Sequence, residues 1–190
     1  MHLSKKNIFV VAEIGHNHMG SLKEAFKLIE AAKKCGADAV KLQKRDNKSL
    51  YTKAFYESLY ENPNSYGRTY GKHREFLEFG KKEYIQLKKF SKKLKINFFA
   101  TPFDFKSVEF LKKLNMPFYK IASADLTNIP LQTQVAKTGK PIILSTGGGT
   151  FKDIDRAVKN IKKINKKITI LHCTASYPAD IKDMNLSVIS

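Results

Sequence analysis

Two lysines stand where an ammonium group is costly to keep. Lys41 follows Ala39-Val40 and Lys120 follows Phe118-Tyr119, each inside a short apolar run of strand character. A charge taken out of water in such a run needs an anion beside it, so two such lysines imply a bound anionic ligand. Either one alone reads more readily as a strand-end lysine whose stem covers apolar surface while its head reaches water. Hydroxyls at the ends of other apolar runs, Thr101, Ser123 and Ser145, extend the pair into a cradle for a phosphate or a phosphate-carboxylate ligand. The turn Ser145-Thr-Gly-Gly-Gly149 precedes a helical stretch and offers backbone N–H groups to the same anion, although a flexible turn explains its glycines equally well.

A second group follows the first apolar run. Glu13-Ile-Gly-His-Asn-His18 brings one carboxylate and two imidazoles together, a set suited to proton transfer or to a metal. The i, i+2 spacing of His16 and His18 selects neither, and a structural or substrate-contacting role is the preferred expectation. His172-Cys173 resembles the start of a nucleophilic dyad. Neighbouring side chains on a strand point to opposite faces, so the expectation is a buried, inert Cys173 instead.

These residues need elements to position them, and the chain supplies a regular alternation. Short β-branched runs at 8–13, 39–42, 97–100, 117–121, 141–145 and 168–172 predict strands. Stretches of helical period at 22–35, 82–94, 105–114, 129–138 and 151–164 predict helices between them, with Gly36 ending the first. Repeated β-α units of this kind build either a doubly wound open sheet or a (β/α)8 barrel, here with about six units. Every predicted strand ends in polar groups: Glu13, Lys41 with Gln43, Thr101, Lys120 with Ser123, Ser145 with Thr146, and His172 with Thr174. A barrel gathers all of them on one face, whereas an open sheet concentrates chemistry at one switch point, so an incomplete TIM barrel is expected. The segment 44–72 exceeds the usual βα connection of about 2–6 residues and reads either as a lid or binding loop or as a tolerated surface insertion.

Composition narrows the function classes. With 190 residues, 42% of them hydrophobic, the chain can bury a core as one domain. It contains no apolar run of the roughly 18 residues a membrane span needs, and its first six residues lack a signal-peptide core, so a cytoplasmic protein without membrane contact is expected. Cys35 and Cys173 lie in no paired metal or disulfide spacing. The formal charge of +18 would attract any polyanion, yet only four of the 35 basic residues are arginine: Arg45, Arg68, Arg74 and Arg156. Lysine pairs such as Lys33-Lys34, Lys92-Lys93 and Lys112-Lys113 fall on predicted helix faces, which points to solvated surface and not to a nucleic-acid site.

Six motifs carry a resemblance. Glu13-Ile-Gly-His-Asn-His-Met-Gly20, Val40-Lys-Leu-Gln43, Ala100-Thr-Pro-Phe103, Tyr119-Lys-Ile-Ala-Ser123, Ile143-Leu-Ser-Thr-Gly147 and Leu171-His-Cys-Thr-Ala-Ser-Tyr-Pro178 occur in order at barrel-unit spacing. The sequence resembles the sialic-acid synthase family over nearly its whole length. That resemblance implies a catalytic (β/α)8 barrel, followed in the family by an antifreeze-like domain. It implies an enzyme condensing phosphoenolpyruvate with N-acetylmannosamine or a related N-acyl amino sugar to give a nine-carbon 2-keto acid and phosphate.

By the same resemblance, Lys41, Thr101, Lys120, Ser123 and Ser145 hold phosphoenolpyruvate, whereas Glu13, Gln43 and Tyr177 meet the sugar, with Glu13, Lys41 and Lys120 the catalytic set. The family uses a divalent metal, manganese or magnesium, whose histidine ligands follow later strands that lie outside this sequence. Ala175 departs from an asparagine carried by some members. The full-length relatives imply a homodimer, and the 190-residue chain alone is expected to lack turnover. The alternatives to this reading are another phosphoenolpyruvate-dependent keto-deoxy sugar acid synthase, or a non-catalytic anion-binding fragment.

Overall fold

The alternation of β-branched runs with amphipathic stretches yields parallel strands joined by helices. The computed structural model describes residues 8–189, and the chain divides between Pro117 and Phe118 into two compact units. The absence of a leader is an expectation about residues that lie outside the described ones. No helix among the described residues is long and apolar enough to cross a membrane.

The first unit contains β1 (Val11–Gly15), α1 (Leu22–Lys34), β2 (Ala39–Lys44), α2 (Asn47–Leu50), α3 (Lys53–Glu57), α4 (Tyr70–Leu77), α5 (Lys81–Lys93), β3 (Asn97–Pro102) and α6 (Phe105–Lys113). Its strands run parallel with β2 in the middle, Glu13 opposite Lys41 and Gln43 opposite Thr101. Burial on both faces explains why Ala39-Val40-Lys41-Leu42 reads as a continuous buried run and not as an alternation. Helix α1 begins where the Ser21 side chain accepts from the Glu24 N–H, buries Ala25 and Ile29, and carries Lys33 and Lys34 in its last turn, where they suit the helix dipole. Cys35 is its C-cap, and Gly36 just beyond adopts φ +85°, the left-handed turn that glycine takes without strain. Helices α5 and α6 pack on β3, burying Tyr84, Leu87, Val108 and Leu111 against a strand that buries Phe98, Phe99 and Ala100.

Two expectations shift here. The first strand begins at Val11, not Ile8. Ile8 is exposed, and the Val10 N–H already donates to the Asp38 carboxylate at 2.7 Å, a contact outside the ladder. The long connection is not a bare loop. Asp46 and Thr52 cap α2 and α3, and a cluster of Tyr51, Phe55, Tyr60 and Tyr70 packs this segment against α4. A Cβ on Gly71 would come within 2.4 Å of the Tyr56 ring, so this close approach requires glycine.

The second unit contains β4 (Tyr119–Ile121), α7 (Ile129–Ala136), β5 (Ile142–Ser145), α8 (Phe151–Lys162) and β6 (Ile168–Leu171). Its strands are also parallel, with Lys120 opposite Ile143 and Ser145 opposite Leu171. Strand β5 is buried throughout, whereas β6 leaves Ile170 and Leu171 exposed. Helices α7 and α8 pack on each other, and α8 opens with a capping box between Thr150 and Asp153.

Leu42 sits at 1% exposure in the central strand of the first unit. Leu42→Ala is therefore expected to cost about 2–5 kcal/mol of unfolding free energy, read from the urea midpoint of the 190-residue chain. A shift below about 1 kcal/mol would contradict this packing.

Candidate active site

The buried lysine of β2 finds its carboxylate across the strand pair. Glu13 and Lys41 lie opposite each other in the β1–β2 register, and their side chains form a close ion pair. Lys41 Nζ also donates to Thr101 Oγ1 at 2.8 Å, which ties the end of β3 to the same point. Lys41 is 7% exposed, so it does not reach water as a lone strand-end lysine would. Burial draws its ammonium below the ordinary lysine range, and Glu13 offsets part of that shift. The Glu13 side chain itself is 49% exposed, so one end of the pair stays open to a ligand.

A break in register after Glu13 sets the exit of β1. The ladder slips between Glu13 and Gly15, and Gly15 takes φ +55°. A Cβ there would lie 3.2 Å from Glu13 Oε1 and 3.6 Å from Gln43 Nε2, so both side chains border this exit. Tyr84, fully buried, donates to the Gln43 backbone carbonyl at 3.0 Å and fixes that strand end from below. Four of the expected residues, Glu13, Lys41, Gln43 and Thr101, thus meet at the C-terminal ends of β1, β2 and β3.

The second unit gathers a set of its own. Lys120 Nζ donates to the Ile121 carbonyl at 2.9 Å and makes a close hydrogen bond to Ser145 Oγ. The Gly147 N–H donates to Ser123 Oγ at 3.0 Å. Lys120 and Ser145 therefore stand together, and Ser123 holds the turn that follows Ser145. In the glycine turn, the Gly147 N–H goes to Ser123 and the Gly149 N–H to the Thr146 carbonyl, so both are used within this unit. Tyr177 is 99% exposed and is not brought to this group.

Cys173 departs from its expected burial. It is half-buried at the end of the partly exposed β6, and its thiol contacts Ser145 Oγ at 3.3 Å, while His172 Nε2 lies 2.6 Å from the Met184 carbonyl. The two residues thus turn to separate partners, which excludes a dyad between them. A cavity of about 600 Å³ in this unit is lined chiefly by apolar side chains, among them Ile170, Leu171 and Val188, and does not include Lys120.

Four residues beyond the predicted set join His16. Lys44 Nζ binds Glu78 Oε2 at 2.9 Å, the Arg45 N–H donates to the same oxygen at 3.2 Å, and His16 Nε2 lies 3.4 Å from Glu78 Oε1. Arg74 Nη2 meets His16 Nδ1 at 3.3 Å. Burial pushes the Glu78 carboxyl up, but His16 and Lys44 outweigh it and hold the group below the usual carboxylate range. Burial lowers the His16 pKa against the pull of Glu78. His18 stacks on Phe79 with ring centroids 4.1 Å apart and accepts from the Gly20 N–H, which makes it structural. The one available signal for Arg45 and Arg74 was the rarity of arginine in a lysine-rich chain.

Among the described residues, no group of three or more His, Cys, Asp or Glu stands together to hold a metal. His16 and His18 are committed to Arg74, Glu78, Phe79 and Gly20. The described residues do not fit the divalent ion that the resemblance implies, so no chemical step is derived through one.

Comparison with known proteins supplies the context. The NeuB family pattern matches residues 28–190. An N-acetylneuraminate-9-phosphate synthase of Drosophila melanogaster is 40% identical over 97% of this chain and 50% of its own length, and a Campylobacter jejuni N,N'-diacetyllegionaminic acid synthase is 37% identical over 97% and 56%. A crystal structure of N-acetylneuraminic acid synthetase from Leptospira borgpetersenii, in complex with citrate, superposes with a TM-score of 0.82 and 34% identity, covering 100% of this chain and 65% of that one. The fold is thus of the α/β class, six parallel strands with intervening helices as in a (β/α)8 barrel enzyme. A truncated 3-deoxy-D-arabino-heptulosonate 7-phosphate synthase from Thermotoga maritima, at 12% identity and a TM-score of 0.61 over 90% of this chain and 54% of that one, shares the fold alone. The chain spans about half the length of the curated relatives it matches.

Burial lowers the His18 pKa to about 4, with His16 adding to the effect. The native ring stays neutral while the unfolded one takes a proton near 6.5, so this contribution is complete above about pH 6.5 and is lost as the pH falls toward 4. Urea unfolding at pH 7 and pH 4.5 should show a loss on the order of 2–3 kcal/mol that His18→Gln reduces. An unchanged pH dependence in that variant would contradict the assignment.

Proposed function

Because the chain belongs to the NeuB family, a family of nonulosonate synthases, we propose that it supplies the phosphoenolpyruvate-binding portion of such a synthase, which joins phosphoenolpyruvate to an N-acyl amino sugar. The observation that carries the proposal is Lys41: a buried ammonium, held by Glu13 and Thr101 at the C-terminal end of a parallel strand, with the carboxylate half-open to solvent. That end is where barrel enzymes place their chemistry. Lys120 with Ser145 and Ser123 provides a second group of the same chemical kind on its own unit. Each group is assigned to phosphoenolpyruvate separately: lysine ammonium groups for the charge of phosphate and carboxylate, hydroxyls for the remaining oxygens.

In the reaction, C3 of phosphoenolpyruvate attacks the sugar aldehyde, water adds at C2, and phosphate leaves by C–O cleavage. Carbons and phosphorus balance, giving a 2-keto acid and inorganic phosphate. Glu13 is placed to exchange a proton with the sugar or the attacking water, because it pairs with Lys41 on one side while its outer face stays accessible. Gln43, at the same β1–β2 exit as Glu13, is placed to orient a sugar hydroxyl or the acyl amide. Tyr177, exposed on its loop, remains a sugar contact by resemblance alone.

The relatives' names differ in the acceptor they imply: one product carries a 9-phosphate, whereas legionaminic acid is named without one. Both fit the proposed carbon–carbon bond formation.

Calorimetric titration of the 190-residue chain with phosphoenolpyruvate is expected to give saturable binding. Lys41→Ala and Lys120→Ala should each weaken it by about 10- to 150-fold, the effect of losing a charge-assisted contact of about 1.5–3 kcal/mol. Wild-type affinity in Lys41→Ala would remove the first group from the site, and absence of binding to the parent chain would overturn the proposal.

A further inference from the structure

A serine hydroxyl has two lone pairs and one proton, and the hydrogen bonds around Ser145 decide how they are used. The Lys120 ammonium donates to Ser145 Oγ in a close hydrogen bond, and the Cys173 thiol donates to the same oxygen from 3.3 Å. Thr101 Oγ1 receives Lys41 alone and Ser123 Oγ receives the Gly147 N–H alone, so each of those hydroxyls keeps a lone pair. Ser145 can therefore act in one sense only. Its acceptor capacity is filled, and its own proton reaches no acceptor among the described residues. Ser145 is 7% exposed, and a buried O–H left without an acceptor is costly. What is wanting is an acceptor oxygen beside an ammonium group.

The thiol has one proton and two oxygens within reach. The Leu171 carbonyl lies 3.7 Å from Cys173 Sγ, farther than Ser145 Oγ, and it already accepts from Thr146 Oγ1 at 2.8 Å. The thiol proton is thereby directed to the serine. Local packing holds this arrangement. Ser145 pairs with Leu171 across the β5–β6 ladder, and the chain then passes Gly147, where a Cβ would lie 3.1 Å from Ser123 Oγ and 3.3 Å from Cys173 Cβ. A side chain at 147 would crowd Cys173, so glycine permits the close approach of the turn to the end of β6. His172 faces the Met184 carbonyl at 2.6 Å and takes no part.

We propose that Cys173 is a positioning residue of the anion site: by filling the second lone pair of Ser145, its thiol turns the serine proton outward to an oxygen of the bound anion. The anion then meets a hydroxyl whose direction is fixed before it arrives, in the field of the Lys120 ammonium. Cys173 acts through Ser145 and makes no ligand contact of its own. The assignment rests on the synthase reading above for the identity of the anion, phosphoenolpyruvate.

Calorimetric titration of the 190-residue chain tests it, with phosphoenolpyruvate and inorganic phosphate as separate probes. Cys173→Val, which keeps similar bulk and removes the donor, should weaken anion binding by about 3- to 10-fold, and Cys173→Ser, which keeps a donor, should recover most of that loss. Ser145→Ala should weaken binding by about tenfold or more, and Cys173→Val added to it should cost nothing further, because the thiol acts only through the hydroxyl. Urea midpoints of the variants monitor folding, and Cys173→Ala replaces the valine variant if that one lowers the midpoint. Wild-type affinity in Cys173→Val would overturn the inference. So would a loss that persists at full size in the Ser145→Ala background, or a Cys173→Ser chain that binds no better than Cys173→Val, since either outcome assigns Cys173 to packing. Phosphoenolpyruvate binding that ignores Cys173 defeats the inference and leaves the synthase reading standing. Binding of inorganic phosphate that depends on Cys173, without any binding of phosphoenolpyruvate, defeats the synthase reading and leaves the inference standing. A parent chain that binds neither anion overturns both.

Discussion

The ammonium of Lys41 constrains the architecture around it. A cation at 7% exposure in the middle strand of a sheet is tolerated only where acceptors reach it, and two flanking strands supply them: Glu13 from β1 and Thr101 from β3. The register that pairs Glu13 with Lys41 is therefore chemical as well as steric. A slip of one residue would turn the lysine to the opposite face of the sheet, away from both partners. The φ of +55° at Gly15 allows the chain to leave β1 without displacing the Glu13 carboxylate.

The same logic extends along the strand exits. Lys44 and Arg45 continue β2 into a setting that Glu78, from the end of α4, can only partly neutralise. The folded segment between β2 and α5 matters because it delivers Arg74 and Glu78 to that exit. Its capped turns and aromatic packing give a long connection the rigidity to hold charged groups in place. In the second unit, Ser145 receives Lys120 and lies beside the Cys173 thiol, so one hydroxyl links the ends of three strands.

Much of this was legible in the sequence because it depends on local pattern. The six strands, five principal helices and the grouping of Glu13, Lys41, Gln43 and Thr101 follow from β-branched runs that end in polar residues. What escaped depends on long-range pairing. Nothing local signals that Glu78 would fold back on Lys44, 34 residues earlier, or that Arg74 would meet His16, 58 residues away. The glycine run at 147–149 has the composition of an anion-binding loop, yet its N–H groups turn to Ser123 and Thr146, a choice set by the packed turn and not by composition. Cys173 was misjudged for a similar reason, since its burial depends on what covers β6 and not on its own apolar character.

The central claim is that the buried Lys41 charge is kept for an anionic ligand, and it can be read at the lysine itself. A carbon-13 NMR titration of the Lys41 ε-carbon, with and without saturating phosphoenolpyruvate, follows its ammonium directly. In the free chain the midpoint should fall below the ordinary lysine value of about 10.4, because burial disfavours the charge, and phosphoenolpyruvate should move it upward by adding an opposite charge. A midpoint at the ordinary value, or one that phosphoenolpyruvate leaves unmoved, would contradict the assignment of this lysine to the ligand.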